Sequence, residues 1–187
     1  APPGIGGIEL QKWLNRNFLS DPRLSETDVD RAGTKAALAV LAASQGKWRM
    51  RGWSCTTDPG TFWLQNPTNL AGTAILKPGQ WTDRWSLGYH QGKRDHPALV
   101  QVAPVTVWRD SNRDAVEDKT KEDTGLFGIN VHGASMDGSA QVGKWSAGCI
   151  VLQRRKDLFD MLSMLNLYRE RTNNRFTVTL LEEEWLR

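Results

Sequence analysis

The sequence predicts an α+β, β-rich fold preceded by a small helical N-terminal segment, and three observations carry that expectation. Phe176-Thr-Val-Thr-Leu180 alternates apolar and polar residues strictly, the pattern of a half-buried strand. Turn signals at Asp58-Pro-Gly60, Asn66-Pro67, Lys77-Pro-Gly79 and Gln91-Gly92 cut the middle of the chain into short pieces rich in β-branched and aromatic residues. Lys35 to Ala43, by contrast, is built almost wholly of good helix formers.

Taken in order, Ile8, Leu10, Trp13 and Leu14 have the spacing of a short amphipathic helix, and a polar region from Asn15 to Asp30 follows. A second helix is expected over residues 35–43, with Gly46 where a helix C-terminus would place it. Residues 1–46 thus form one helical unit and residues 47–187 the main domain. Strands are expected over Ala98 to Trp108, interrupted by Pro104, and over Gly125 to Val131, with a polar excursion from Arg109 to Asp123 between them. Ile150-Val-Leu152 reads as a short apolar strand. Lys156 to Arg171 reads as a helix with Leu158, Leu162 and Leu165 on one face, and Asn173-Asn174 turns the chain into the last strand.

A chain of 187 residues with 39% hydrophobic and 24% charged residues can bury a core of its own. Its net charge of +3 is spread along the chain, so no nucleic-acid partner is indicated. No run of apolar residues is long enough for a membrane span, and a monomer is expected. The opening APPGIGG lacks the basic and apolar stretches of a signal peptide. Most of the nine tryptophans read as packing staples. Cys55 and Cys149 are compatible with one disulfide, or with one structural and one reactive thiol.

Residues 130–153, NVHGASMDGSAQVGKWSAGCIVLQ, are the most informative stretch, because they place His132 at a strand end and Cys149 in a glycine turn entering the next strand. A cysteine nucleophile needs an imidazole or another electropositive setting, and His132 supplies one, so an acidic, alkylation-prone thiol is expected. The small residues Ala147 and Gly148 leave room for a substrate carbonyl, and the amides of Gly148 and Cys149 are candidate oxyanion donors. Ser146 and Gly133 are candidates for shaping the site, and Trp145, Tyr89 and His90 for lining a cleft. The same residues are open to a plainer account, a buried small thiol and a loop histidine.

His132-Gly133, a glycine-rich spacer, then Ser146-Ala147-Gly148-Cys149-Ile150 resembles the signature of the L,D-transpeptidase (YkuD-type) catalytic domain. The resemblance implies a YkuD-like mixed β-sandwich and a Cys149–His132 pair that attacks a peptide carbonyl of the peptidoglycan stem to form a thioester. It implies no cofactor and a periplasmic, wall-associated or secreted location. Acyl transfer to an amine would crosslink the wall; transfer to water would make the enzyme a carboxypeptidase or endopeptidase. A phage or secreted toxin-like hydrolase would use the same chemistry, and a non-catalytic wall-binding protein is the alternative from another class. Two positions depart from the family. Ala147 stands where a second histidine is usual and Val151 where Asn or Arg is usual, so acceptor handling is expected to suffer more than donor acylation. Residues 10–15 and 30–38 also resemble a helical peptidoglycan-binding domain.

Asp110, Asn112, Asp114 and Asp118 alternate as calcium-loop ligands do, but Ala115 occupies the place where an EF-hand requires glycine, so a solvated acidic loop is expected. His90, His96 and His132 lack the spacing of a zinc motif, and no metal is expected.

Overall fold

The computed structural model describes residues 36–44, 47–135 and 142–180. Ten strands and two helices make up the described chain: β1 (Ala36–Ser44), β2 (Lys47–Thr56), α1 (Thr61–Gln65), β3 (Thr73–Leu76), β4 (Gly79–Tyr89), β5 (Pro97–Gln101), β6 (Val105–Asp110), β7 (Glu122–Gly125), β8 (Val131–Ser135), β9 (Ile150–Arg154), α2 (Arg155–Tyr168) and β10 (Phe176–Leu180), with a single 3-10 turn at His90–Gly92. One mixed sheet of seven strands runs β1-β2-β9-β8-β5-β4-β10, and a second of three runs β3-β6-β7. The fold is therefore α+β and mostly β. No helix among the described residues is long and apolar enough to cross a membrane.

The helix expected over residues 35–43 is not there: Ala36 to Ser44 is strand β1, paired antiparallel with β2 from Ala36↔Cys55 to Ser44↔Lys47. Intrinsic preference for helix is worth only tenths of a kcal/mol per residue, and a long hairpin partner overrides it. The boundary expected at residue 46 lies between β1 and β2, which pair with each other. The first expected helix lies outside the described residues, and so do both stretches of the wall-binding resemblance except Ala36 to Leu38, which belong to β1.

The second correction concerns residues 125–131. Glu122–Gly125 and Val131–Ser135 are strands, but the chain between them is a loop with Gly128 at φ +72°. Pro104 separates β5 from β6 as its missing N–H requires. The last helix ends at Tyr168 rather than Arg171, and β10 spans the residues that its alternation predicts.

One core joins the two sheets to α2, with Trp85, Leu99, Val131, Ile150 and Leu152 from the large sheet, Leu76, Val105 and Val107 from the small one, and Leu158, Met161 and Leu165 from the helix. Each fully buried side chain of this kind contributes about 1.5–3 kcal/mol. Trp85 also donates its indole N–H to Ile129 O at 2.7 Å, which pins the loop preceding β8. The parallel pair β8–β9 sits next to the antiparallel pair β2–β9 and has Val131 opposite Ile150 and His132 opposite Val151. Side chains alternate faces along a strand, so His132 and Val151 share the face opposite the one carrying Val131 and Ile150.

Candidate active site

The thiol and the imidazole come together because their strands are neighbours. Cys149 directly precedes β9 and His132 is the second residue of β8. The Ile150 amide donates to Asn130 O at 2.9 Å, fixing where the two strands begin relative to each other. Ligand atoms of His90, His132 and Cys149 all lie within 4.8 Å of one another.

The turn that presents Cys149 is held by Ser146. Its hydroxyl, in a residue only 1% exposed, accepts the Gly148 amide at 3.0 Å and donates to Cys149 O at 2.8 Å. The Gly148 amide, expected as an oxyanion donor, is therefore occupied by Ser146. Gly148 has φ +123°, and a Cβ there would lie 2.1 Å from Ala74 O on β3. No other residue type fits. Gly60 donates to Ser146 O at 2.9 Å, tying the turn to the start of α1.

Hydrogen bonds assign the protons. His132 Nδ1 lies 3.2 Å from Gly133 O, a group that only accepts, so Nδ1 carries the proton and Nε2 the lone pair. Nε2 is buried with no hydrogen-bond partner among the described residues. Burial lowers the pKa of His132, an effect opposed by the Gly133 bond and reinforced by His96. Burial raises the Cys149 thiol, and hydrogen bonding with the Asn130 backbone works against that rise. Burial thus works against the acidic thiol expected from the sequence and favours the neutral form of the imidazole beside it. The Cys149 Sγ–H points to Gly128 O at 3.4 Å.

His90 is the third member. Its ring lies 4.6 Å from that of His132, tilted by 39°. Asn130 Oδ1 accepts the Gln101 amide at 2.9 Å, so Nδ2 of Asn130 is the group that donates to His90 Nδ1 at 3.0 Å. His90 is therefore neutral with its proton on Nε2, in keeping with a pKa lowered to about 4, first by burial and then by the charges of His132, His96 and Lys93.

Sequence reasoning missed Asn130 and Gln101. The Gln101 side chain accepts the amides of Phe127 and Ile129 at 3.1 and 3.0 Å and donates to Ala103 O and Gly125 O at 3.0 and 2.9 Å. It thereby shapes the loop whose Gly128 carbonyl meets the thiol. A lone polar residue ending an otherwise apolar strand, Ala98-Leu-Val-Gln101, was the available signal.

Of the remaining candidates, Gly133 packs against Arg155, where a Cβ would lie 2.8 Å from the Arg155 Cα. Ala147 is exposed, and Trp145 and Tyr89 are 48% and 50% exposed. Tyr89 directly precedes His90 at the end of β4. Val151 is buried opposite His132 in the β8–β9 register and contributes apolar surroundings there. Cys55 lies on β2 opposite Leu152, and no disulfide occurs among the described residues. His96 is exposed beside Asp95, outside the Cys149 cluster.

Comparison of the chain with protein-family descriptions, with curated proteins and with solved structures finds no match in any of the three.

Proposed function

We propose that the chain is a cysteine-dependent acyltransferase of the L,D-transpeptidase type acting on peptidoglycan stem peptides. The observation that carries this reading is the tautomer of His132: its bond to Gly133 O leaves a buried, unpartnered Nε2 lone pair beside the Cys149 thiol. In the first step Sγ attacks the peptide carbonyl as Nε2 takes the thiol proton. The carbon becomes tetrahedral, its oxygen gains the negative charge, and the Cys149 amide is the candidate donor from the turn, the Gly148 amide being engaged by Ser146. The C–N bond then breaks as His132 returns the proton to the leaving amine, and a thioester remains on Cys149. Water or an acceptor amine resolves the thioester with His132 again as base. A neutral pair suits this sequence, since no imidazolium is wanted until the thiol is attacking.

His90 stands beside the pair, its ring 4.6 Å from that of His132. Its Nε2–H is a neutral donor for the substrate carbonyl or the acceptor. With Val151 apolar and Ala147 without polar atoms, hydrolysis or exchange outpaces crosslinking. The test is incubation with purified tetrapeptide and pentapeptide muropeptides and mass spectrometry of the products; Cys149→Ala and His132→Ala should release none, and turnover by Cys149→Ala would refute the mechanism.

A second reading has its own observation. Two imidazoles and a thiol within 4.8 Å of one another form a three-ligand set of the kind zinc accepts. Metal analysis separates the two: one tightly held zinc per chain, with a fold that fails on chelation, favours a metal centre, whereas a metal-free chain whose Cys149 is acylated favours the thiol enzyme.

A further inference from the structure

Asn130 directly precedes β8 and is buried, at 7% exposure. Its backbone carbonyl accepts the Ile150 amide at 2.9 Å, and its side chain is held from two sides. The Gln101 backbone N–H, a group that only donates, lies 2.9 Å from Oδ1. The Asn130 amide therefore has one orientation, with Nδ2 turned to His90 Nδ1 at 3.0 Å. An NH2 group also only donates, so Nδ1 of His90 gives its lone pair to that bond, and the proton of the neutral ring sits on Nε2.

This pattern bears on what the cluster of His90, His132 and Cys149 can hold. A divalent metal bound by all three needs a lone pair from each. His132 has one at Nε2, which is buried and unpartnered among the described residues because Nδ1 faces Gly133 O. Cys149 offers its thiolate once the proton leaves to solvent. His90 has none to spare, since one nitrogen accepts from Asn130 and the other carries the proton. The three ligand atoms lie within 4.8 Å of one another, yet the set is one lone pair short. A histidine that ligates a metal almost always donates its other ring N–H to a carboxylate, a carbonyl or water. His132 has such a partner in Gly133 O, whereas Asn130 offers His90 the opposite, a donor.

We propose that Asn130 is a positioning residue that fixes the tautomer of His90, keeping that ring a hydrogen-bond donor and closing the site to divalent metals that would otherwise capture the Cys149 thiolate. The use of the donor in catalysis rests on the thiol-enzyme reading, and the exclusion of metal rests on the hydrogen bonds alone. Asn130→Asp reverses the pattern. One carboxylate oxygen still accepts the Gln101 amide while the other accepts a proton from His90 Nδ1, which frees Nε2 on a ring packed against His132.

The experiment compares the full chain with Asn130→Asp in two ways. Proton–nitrogen correlation spectra of histidine-labelled chains near neutral pH identify the protonated ring nitrogen of His90. Titration with CoCl2 and ZnCl2 follows the thiolate-to-cobalt charge-transfer absorbance and the protection of Cys149 from iodoacetamide. The parent should carry the His90 proton on Nε2 and the variant on Nδ1. The variant should bind both metals roughly tenfold or more tighter than the parent, through Cys149, and adding His90→Gln to it should abolish that gain. A parent His90 protonated on Nδ1, or a parent that binds either metal through Cys149 as tightly as the variant, would overturn the proposal. The parent's spectrum decides the tautomer even where the variant does not fold. The stated tautomers and affinities in a chain that turns over no muropeptide would support the role of Asn130 and count against the proposed substrate alone.

Discussion

Replacing Gly148 by alanine is expected to damage stability and chemistry together, and the size of the effect follows from the structure. A Cβ at this position would lie 2.1 Å from Ala74 O and 3.2 Å from Ala74 C, and the obstacle is the backbone of β3, paired to β6, not the end of a flexible side chain. The residue also has φ +123°, a conformation costing a side chain of order 1–3 kcal/mol. Relief requires moving the turn by roughly 1 Å, which breaks the Gly148–Ser146 and Ser146–Cys149 hydrogen bonds at about 1 kcal/mol each. The sum is about 3–5 kcal/mol, a large part of the 5–15 kcal/mol that a domain of ordinary stability has in reserve. Urea denaturation should give a midpoint far below that of the parent chain, and Cys149 alkylation under native conditions should change because the thiol has left its place beside Gly128 O. A midpoint and an alkylation rate both equal to the parent's would refute the placement of the turn against β3.

Other perturbations test the electrostatics and the supporting shell. His90 has its pKa depressed from 6.5 to about 4, so the unfolded chain binds the extra proton between those values; the stability this protects is present above pH 6.5 and is lost as pH falls toward 4. After discounting for the half-exposed ring the loss is about 1–2 kcal/mol, and it should be missing from the pH-dependence of unfolding in His90→Gln. Cys149 alkylation by iodoacetamide should rise with pH to a midpoint above that of an ordinary free thiol, because burial raises the thiol pKa; a midpoint below the ordinary thiol value would mean a thiolate–imidazolium pair and contradict that direction. Gln101→Leu removes four hydrogen bonds to the 125–130 segment and its neighbour Ala103, and should destabilise the chain by roughly 2–4 kcal/mol in urea. It should also lower turnover more than a distant substitution of equal cost.

Much of the site was legible because its signals are local. The Cys149 turn, His132 and the apolar run after Cys149 lie within two dozen residues, and two neighbouring strands bring them together without any long-range guess. His90 was legible only as a cleft candidate, since its place beside His132 depends on β5 carrying the chain back next to β8. Asn130 and Gln101 were invisible as a pair because their roles are hydrogen bonds to each other and to the backbone of a loop that alternation had read as a strand. β1 misled for the opposite reason: alanine and leucine favour helix in isolation, and only the pairing from Ala36↔Cys55 to Ser44↔Lys47 decides otherwise.

The claim on which the account rests is that Cys149 becomes acylated. Intact-mass and peptide-level spectrometry of the chain, quenched in acid within seconds of mixing with disaccharide-tetrapeptide, tests it directly. The account predicts a covalent adduct of the donor stem peptide less its terminal residue, on Cys149 and not Cys55, that is lost on treatment with hydroxylamine and does not form in His132→Ala. Product formation with no adduct at any quench time, or an adduct that maps to Cys55, would contradict it.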